Sequence, residues 1–229
     1  MEGVDLPIPF LFFVLIIGLM IVMGILGHLQ AKRRREELKA LATRLGLGFS
    51  GGRYRKFDRR YPAFKFLRKG SNRYAENVIH GSLGEFQVEA FDYHYETHST
   101  DSDGDTQTHH HRFTVIAFEA PFSLGRMTIR PEGFFDKISA AFGWDDIDFE
   151  SAEFSRRYHV SSDDRRWAYD VLHPRSIELL LKAPRHPWYF HGRNLVLKGD
   201  TRFEPARTAR LLDAGSRLLE GIPEFSRSA

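Results

Sequence analysis

Between residues 98 and 111 the chain concentrates side chains that could hold a metal ion. Asp101, Asp103 and Asp105 alternate around Ser102 and Gly104, with His98 ahead of them and His109-His110-His111 behind. Alternating aspartates around a glycine resemble the start of a calcium loop, where a hard cation gathers several oxygens and a bidentate Glu at the twelfth position. Counted from Asp101 that position is Arg112, so an EF-hand is excluded. A transition-metal site is the remaining chemistry. On a strand His109 and His111 share a face with imidazoles roughly 6 to 7 Å apart, so one ion would need further ligands from His94, His98, Asp103 or Asp105. The competing explanation is turn chemistry, since Asp, Ser, Thr and Gly favour connections for purely conformational reasons.

Other titratable groups offer less. Asp145, Asp146 and Asp148 follow Gly143-Trp144 and read as turn formers leading into a strand. Arg156, Arg157, His159, Asp163 and Asp164 could surround an acidic ligand, although surface ion pairs account for them. There is no phosphate loop with Lys-Ser or Lys-Thr, no GxSxG, no HExxH and no cysteine nucleophile. No cofactor is called for, and the chain reads as a binding module rather than an enzyme.

The elements that must position these residues begin with a 20-residue uncharged run, Ile8–Gly27. At ~1.5 Å per residue it can cross the ~30 Å hydrocarbon core of a bilayer. Glu2 and Asp5 before it, and the exit His28-Leu29-Gln30-Ala31, argue against a cleaved signal peptide. Lys32-Arg33-Arg34-Arg35 on the C-terminal flank puts that flank in the cytoplasm by the positive-inside rule and leaves the acidic N-terminus outside. The absence of cysteine fits a reducing compartment.

The formal net charge of +3 hides an asymmetry, because residues 32–69 alone carry +11. Basic charge beside a membrane span suits the anionic cytoplasmic leaflet and argues against a nucleic-acid footprint spread over the domain. Lys32, Arg33, Arg34, Arg35 and Lys39 are therefore expected to contact anionic lipid head groups. A protein partner is also expected, as single anchors with small domains commonly serve larger assemblies.

In Glu36–Leu45 the residues Leu38, Leu41, Ala42 and Leu45 follow helical spacing, ended by Gly46 and Gly48. Residues 50–73 carry too many aromatics for a disordered linker and are expected to pack onto the domain. Period-two patterning then predicts strands at Glu76–Gly81, Phe86–Thr97, Arg112–Ala120 and Gly125–Arg130, with residues 98–111 a mobile loop. A helix is expected over Glu132–Phe142 and a strand at Phe154–Val160. Further expectations are a helix capped by Asp163 or Asp164 and restarted at Pro174, a hairpin of Trp188–His191 with Asn194–Lys198, and a closing helix from Pro205 to Leu219. The predicted fold is α+β: one N-terminal transmembrane helix followed by a mainly antiparallel-sheet domain with packed helices. The expected divisions are residues 1–31 for the N-terminus and anchor, 32–73 for a basic helix and linker, and 74–225 for the soluble domain.

The order of a single span, a basic stop, Phe91-Asp92-Tyr93-His94-Tyr95-Glu96-Thr97, a polar segment, His111-Arg112-Phe113-Thr114-Val115 and Phe154-Ser155-Arg156-Arg157-Tyr158-His159-Val160 resembles a group of bacterial single-pass membrane-anchored proteins with no assigned activity. The resemblance covers the chain from about Arg33 to Leu181 and implies a bacterial source; its motifs are aromatic and β-rich, so no catalytic residue carries over. The functional expectation is a cytoplasmic binding or scaffold module held at the inner face of a membrane, engaging protein or anionic lipid. The alternatives are a membrane-tethered metal-dependent hydrolase using the 98–111 segment and an accessory subunit of a membrane complex.

Overall fold

The computed structural model describes residues 8–102, 104–133 and 147–227. It is an α+β structure in which a long N-terminal helix leads into an antiparallel sheet. Helix α1 (Ile8–Arg44) runs through 37 residues without a break. The membrane run and the amphipathic segment after it are thus one helix, because Leu29 to Leu41 is built from strong helix formers with no Pro or Gly to interrupt them. The helix stops where Gly46 turns to φ 69°, with Leu47 N donating to Ala42 O at 2.8 Å and Gly46 N to Thr43 O at 3.1 Å. This paired 6→1 and 5→2 closure satisfies carbonyls that the last turn would otherwise leave open.

The seven strands are β1 (Gly48–Ser50), β2 (Tyr54–Arg55), β3 (Ser71–Leu83), β4 (Phe86–Thr100), β5 (Thr106–Pro131), β6 (Tyr158–Ser162) and β7 (Trp188–Lys198). They run in the order β1-β3-β4-β5-β6, with β2 also on β3 and β7 on β5, and every pairing is antiparallel. The expected boundary at residues 73/74 lies inside β3, and the two strands before it belong to the sheet.

Both faces of the sheet are covered. Even-numbered Phe86, Val88 and Ala90 of β4 join Ile116 and Phe118 of β5 and Leu195 and Leu197 of β7 in one core. That core is completed by Leu38, Leu41 and Ala42 of α1 and by residues of α3 (Arg165–Val171), α4 (Pro174–Lys182) and α5 (Pro205–Glu220). Odd-numbered Phe91 and Tyr93 meet Phe113, Val115 and Val196 on the other face, roofed by Phe57, Tyr61, Phe64, Phe66 and Leu67. The aromatics of residues 50–73 are therefore a layer of the domain, held by two 3-10 turns at Phe57–Arg60 and Lys65–Arg68.

Four expectations are corrected, the first being that the strands expected at Arg112–Ala120 and Gly125–Arg130 are one, β5, which bends between them without leaving the sheet. Residues 98–111 are mostly a continuation of β4 and β5, paired in unbroken register down to Thr100↔Thr106. The ladder is polar on both faces, so it shows no hydrophobic alternation; Thr100 Oγ1 to Thr106 Oγ1 at 3.4 Å and His98 Nδ1 to Thr108 Oγ1 at 3.0 Å link its side chains instead. The strand expected from Phe154 begins only at Tyr158, because Ser151 Oγ accepts from Phe154 N and starts the short helix α2 (Ala152–Arg157). The hairpin expected around Gly192-Arg193 is a single strand, β7, bonded to β5 on both sides of Gly192. Gly192 at φ 60° absorbs the register shift opposite Leu124 where β5 bends, a backbone state open to glycine but strained for other residues. Asp164 caps α3 and Pro174 opens α4 as expected, while the helix expected over Glu132–Phe142 falls from residue 134 onward outside the described residues.

Helix α5 lies against β5 at Gly215, where an added Cβ would stand 2.4 Å from two ring carbons of Phe118. Phe118 is fully buried and has nowhere to move. Gly215→Ala should gain about 1 kcal/mol of helix propensity and lose about 1–3 kcal/mol to overpacking. The expected net loss is about 1 kcal/mol, read from the urea midpoint of the full chain in detergent; a stabilised variant would show that the helix can shift off the sheet.

Candidate functional site

The polar end of the β4–β5 ladder sorts its histidines by strand parity. His94, Glu96 and His98 of β4 point to the side of the sheet that carries α1, as do Thr108, His110 and Arg112 of β5. His109 and His111 point the other way, beside Tyr95, Thr97 and Ser99. His109 Nε2 bonds Ser99 Oγ at 2.8 Å, and His111 Nε2 bonds Thr97 Oγ1 at 2.8 Å while its ring stacks on Tyr95 at 4.4 Å. His98 is engaged by Ser71 and Thr108 on the opposite face. Asp105 N donates to Asp101 Oδ1 at 2.9 Å, the turn chemistry weighed from the sequence, and Asp103 lies outside the described residues. The expected set of His98, Asp105, His109 and His111 is thus not brought together.

A different set converges. His94 Nε2, His110 Nδ1 and one Glu96 oxygen all lie within 4.8 Å of one another. His94 sits 3.2 Å from His110 between these ring nitrogens. Glu96 Oε1 is 3.3 Å from His110 Nδ1 and 3.8 Å from His94 Nε2. The register explains the cluster: Glu96 and His110 are direct cross-strand partners and His94 is the diagonal neighbour. Sequence reading chose the wrong face because it followed the i, i+2 pair His109 and His111. The signal that marks this site, the opposed motifs His94-x-Glu96 and His110, needs the β4–β5 register to be seen.

Asn72 holds the cluster from β3. It takes φ 45° at an irregularity in the β3–β4 register, and from there its backbone carbonyl faces His94 Nδ1 at 3.2 Å while its side-chain amide donates to Glu96 Oε1 at 2.7 Å. A carbonyl can only accept, so His94 carries its proton on Nδ1 and turns the Nε2 lone pair toward His110 and Glu96. Tyr74 stacks on the His94 ring at 4.5 Å and fixes its plane. Burial, foremost, pushes the His94 pKa down, and the Asn72 amide, foremost, holds the Glu96 carboxyl below its ordinary range. Arg112, across from His94, is a cation beside the cluster and opposes protonation of His94.

The basic stop divides in two. Lys32, Arg33, Arg35 and Lys39 are exposed, with Arg33 paired to Glu37 at 2.8 Å one turn along. Arg34, expected at the lipid surface, turns into the domain. Its Nε and Nη2 grip both oxygens of Asp92 at 2.8 and 2.7 Å, and its Nη1 donates to Phe203 O at 2.9 Å. Asp92 is 1 % exposed and also accepts from Asn77 Nδ2 at 3.0 Å and Thr114 Oγ1 at 2.9 Å. A bidentate arginine is the geometry that a buried carboxylate selects.

On the roofed face a groove of about 590 Å³ is lined by Tyr54, Phe57, Arg60, Tyr61, His80 and Glu89, among others. Tyr61 Oη donates to Glu89 Oε2 at 2.5 Å, and Arg60 pairs with the same carboxylate.

No family model and no curated protein matches the chain. Among solved structures it is similar to the crystal structure of the mycobacterial trehalose monomycolate transport factor A, TtfA, with a TM-score of 0.57 and 16% identity over 84% of this chain and 96% of that one. At that identity the likeness is one of fold, and what it places beside this chain is the architecture of a transport factor.

Proposed function

We propose that this protein is a membrane-anchored accessory module that crosses the inner membrane of a bacterium once, N-terminus outside, and presents its α+β domain to a protein partner at the cytoplasmic face. The observation that carries the reading is the continuity of α1. Its apolar side chains from Phe12 to Leu29 are exposed, as a bilayer requires, and further along the same helix Leu38, Leu41 and Ala42 are buried in the domain. With no linker between span and core, the domain is held at a set distance from the membrane, close enough for Lys32, Arg33, Arg35 and Lys39 to meet anionic head groups. A fixed standoff suits docking to a partner held in the same membrane. The fold it shares with a transport factor supports an accessory role by analogy.

A reporter that works only in the cytoplasm, fused after Ala229, should be active. From cross-linked, detergent-solubilised membranes the full chain should bring down one membrane protein in fixed ratio, and Arg60→Glu in the groove should reduce that yield at least about 10-fold, the loss expected for one hot-spot contact. Activity of a periplasm-only reporter would overturn the orientation, and recovery of the chain alone would overturn the accessory role.

A further inference from the structure

We propose that His94, Glu96 and His110 form a zinc site, with two imidazoles and one carboxylate as protein ligands and the fourth position open to solvent. The inference goes beyond the accessory role and does not depend on it. Zinc bound at about 2.0–2.1 Å in a tetrahedron separates its ligand atoms by about 3.3–3.4 Å. The three separations here are 3.2, 3.3 and 3.8 Å, so two edges of one face of that tetrahedron are in place and the third, from Glu96 to His94, closes with a movement of the carboxylate by about 0.4 Å.

The surroundings fit the same reading. Metal-bound histidines donate their other ring N–H to a carbonyl or carboxylate, which fixes the tautomer and aims the lone pair. His94 makes that bond to Asn72 O, and Asn72 also orients the carboxylate, so one residue in a left-handed conformation sets two of the three ligands. Strain of this kind is retained where the surrounding structure gains something specific from it. Without an ion the arrangement is one proton among three acceptors: His94 Nε2 and Glu96 Oε1 have none to give, and only His110 Nδ1–H can bridge them. A cation at Nδ1 sends that proton to His110 Nε2, on the half-exposed side of the ring, and offers all three lone pairs a partner. His94 is almost fully buried and His110 is about half exposed, which leaves the outer side of the cluster open for a water or another fourth ligand. Two imidazoles and a carboxylate suit zinc among the available divalent ions, whereas calcium and magnesium take all-oxygen sets.

The test is calorimetric titration of the chelator-stripped full chain in detergent with zinc chloride. One zinc per chain is expected, with heat that does not depend on the buffer's ionisation enthalpy, because the ligands are already a carboxylate and two neutral imidazoles and no proton leaves. Cobalt in place of zinc should give the strong visible absorption of a four-coordinate ion. His110→Ala, at a half-exposed position that folding does not need, should weaken binding by more than about 100-fold, and Asn72→Gly, which keeps the backbone conformation and loses only the amide, by about 10-fold. His109→Ala, one residue away on the opposite face, should bind as the parent does. No binding by the parent, undiminished binding by His110→Ala, or an equal loss in His109→Ala would each overturn the site.

Discussion

Asp92→Ala should cost about 3–5 kcal/mol of stability, the penalty for leaving a buried counter-charge without its partner. Asp92 is the only carboxylate that the Arg34 guanidinium grips among the described residues, and Arg202 Nε lies 3.7 Å from the same Oδ2. Removing it strands the Arg34 guanidinium on the helix-bearing face, together with the Asn77 amide and the Thr114 hydroxyl, while Arg202 keeps Glu76 at 2.6 Å. Arg34→Ala should cost less, because Asp92 keeps Asn77, Thr114 and Arg202. The two changes should be non-additive, the double variant losing clearly less than the sum, since each removes the same bond. Urea unfolding of the full chain in detergent measures all three. The variants also separate docking from stability: in Arg34→Ala the domain should stay folded while protease reaches the chain between Ala31 and Leu38 faster than in the parent. A loss below about 1 kcal/mol for Asp92→Ala would mean that α1 is held by Leu38, Leu41 and Ala42 alone.

That bond shows where sequence reading reaches its limit. The span was legible because an uncharged run of its length has few other uses, and the amphipathic turn after it because Leu38, Leu41 and Ala42 keep helical spacing. Arg34 was not legible. Within Lys32-Arg33-Arg34-Arg35 all four side chains are chemically alike, and only the helical phase, one turn before Leu38, turns Arg34 toward the sheet while its neighbours face solvent. The β4–β5 ladder failed for a related reason. Its apolar half, from Phe86 to Tyr93, announced itself by alternation; from His94 onward both faces are polar, so the period is present in the backbone and absent from the hydrophobicity. Turn residues at Asp101–Asp105 were then read as a loop far longer than it is. The residues of the zinc site lie in exactly that silent stretch, and their meeting depends on which residue of β5 stands opposite Glu96, a register that single-strand patterns do not encode.

Lowering the pH from 7 to 5 should destabilise the protein by about 2 kcal/mol through one buried side chain, His186. The ring is 4 % exposed, with Phe203 edge-on at 4.8 Å. Its Nε2–H donates to Lys198 O at 2.7 Å, which turns the bare Nδ1 toward Arg207 Nη2 at 3.4 Å. Burial above all, then the charge of Arg207, pushes its pKa down to about 3, against 6.5 for an ordinary histidine. Above pH 6.5 the ring is neutral folded or unfolded and contributes no pH dependence. Between 6.5 and 3 the unfolded chain binds a proton that the folded chain refuses, so stability falls as the pH falls, by about 1.4 kcal/mol per unit. His94 and His191, whose pKa values are also lowered chiefly by burial, act in the same direction. His186→Gln keeps a donor for Lys198 O and has no titration. Its urea-derived stability should therefore lose most of the slope between pH 7 and 5, whatever its absolute value, and a slope equal to the parent's would show that His186 is protonated in the folded protein.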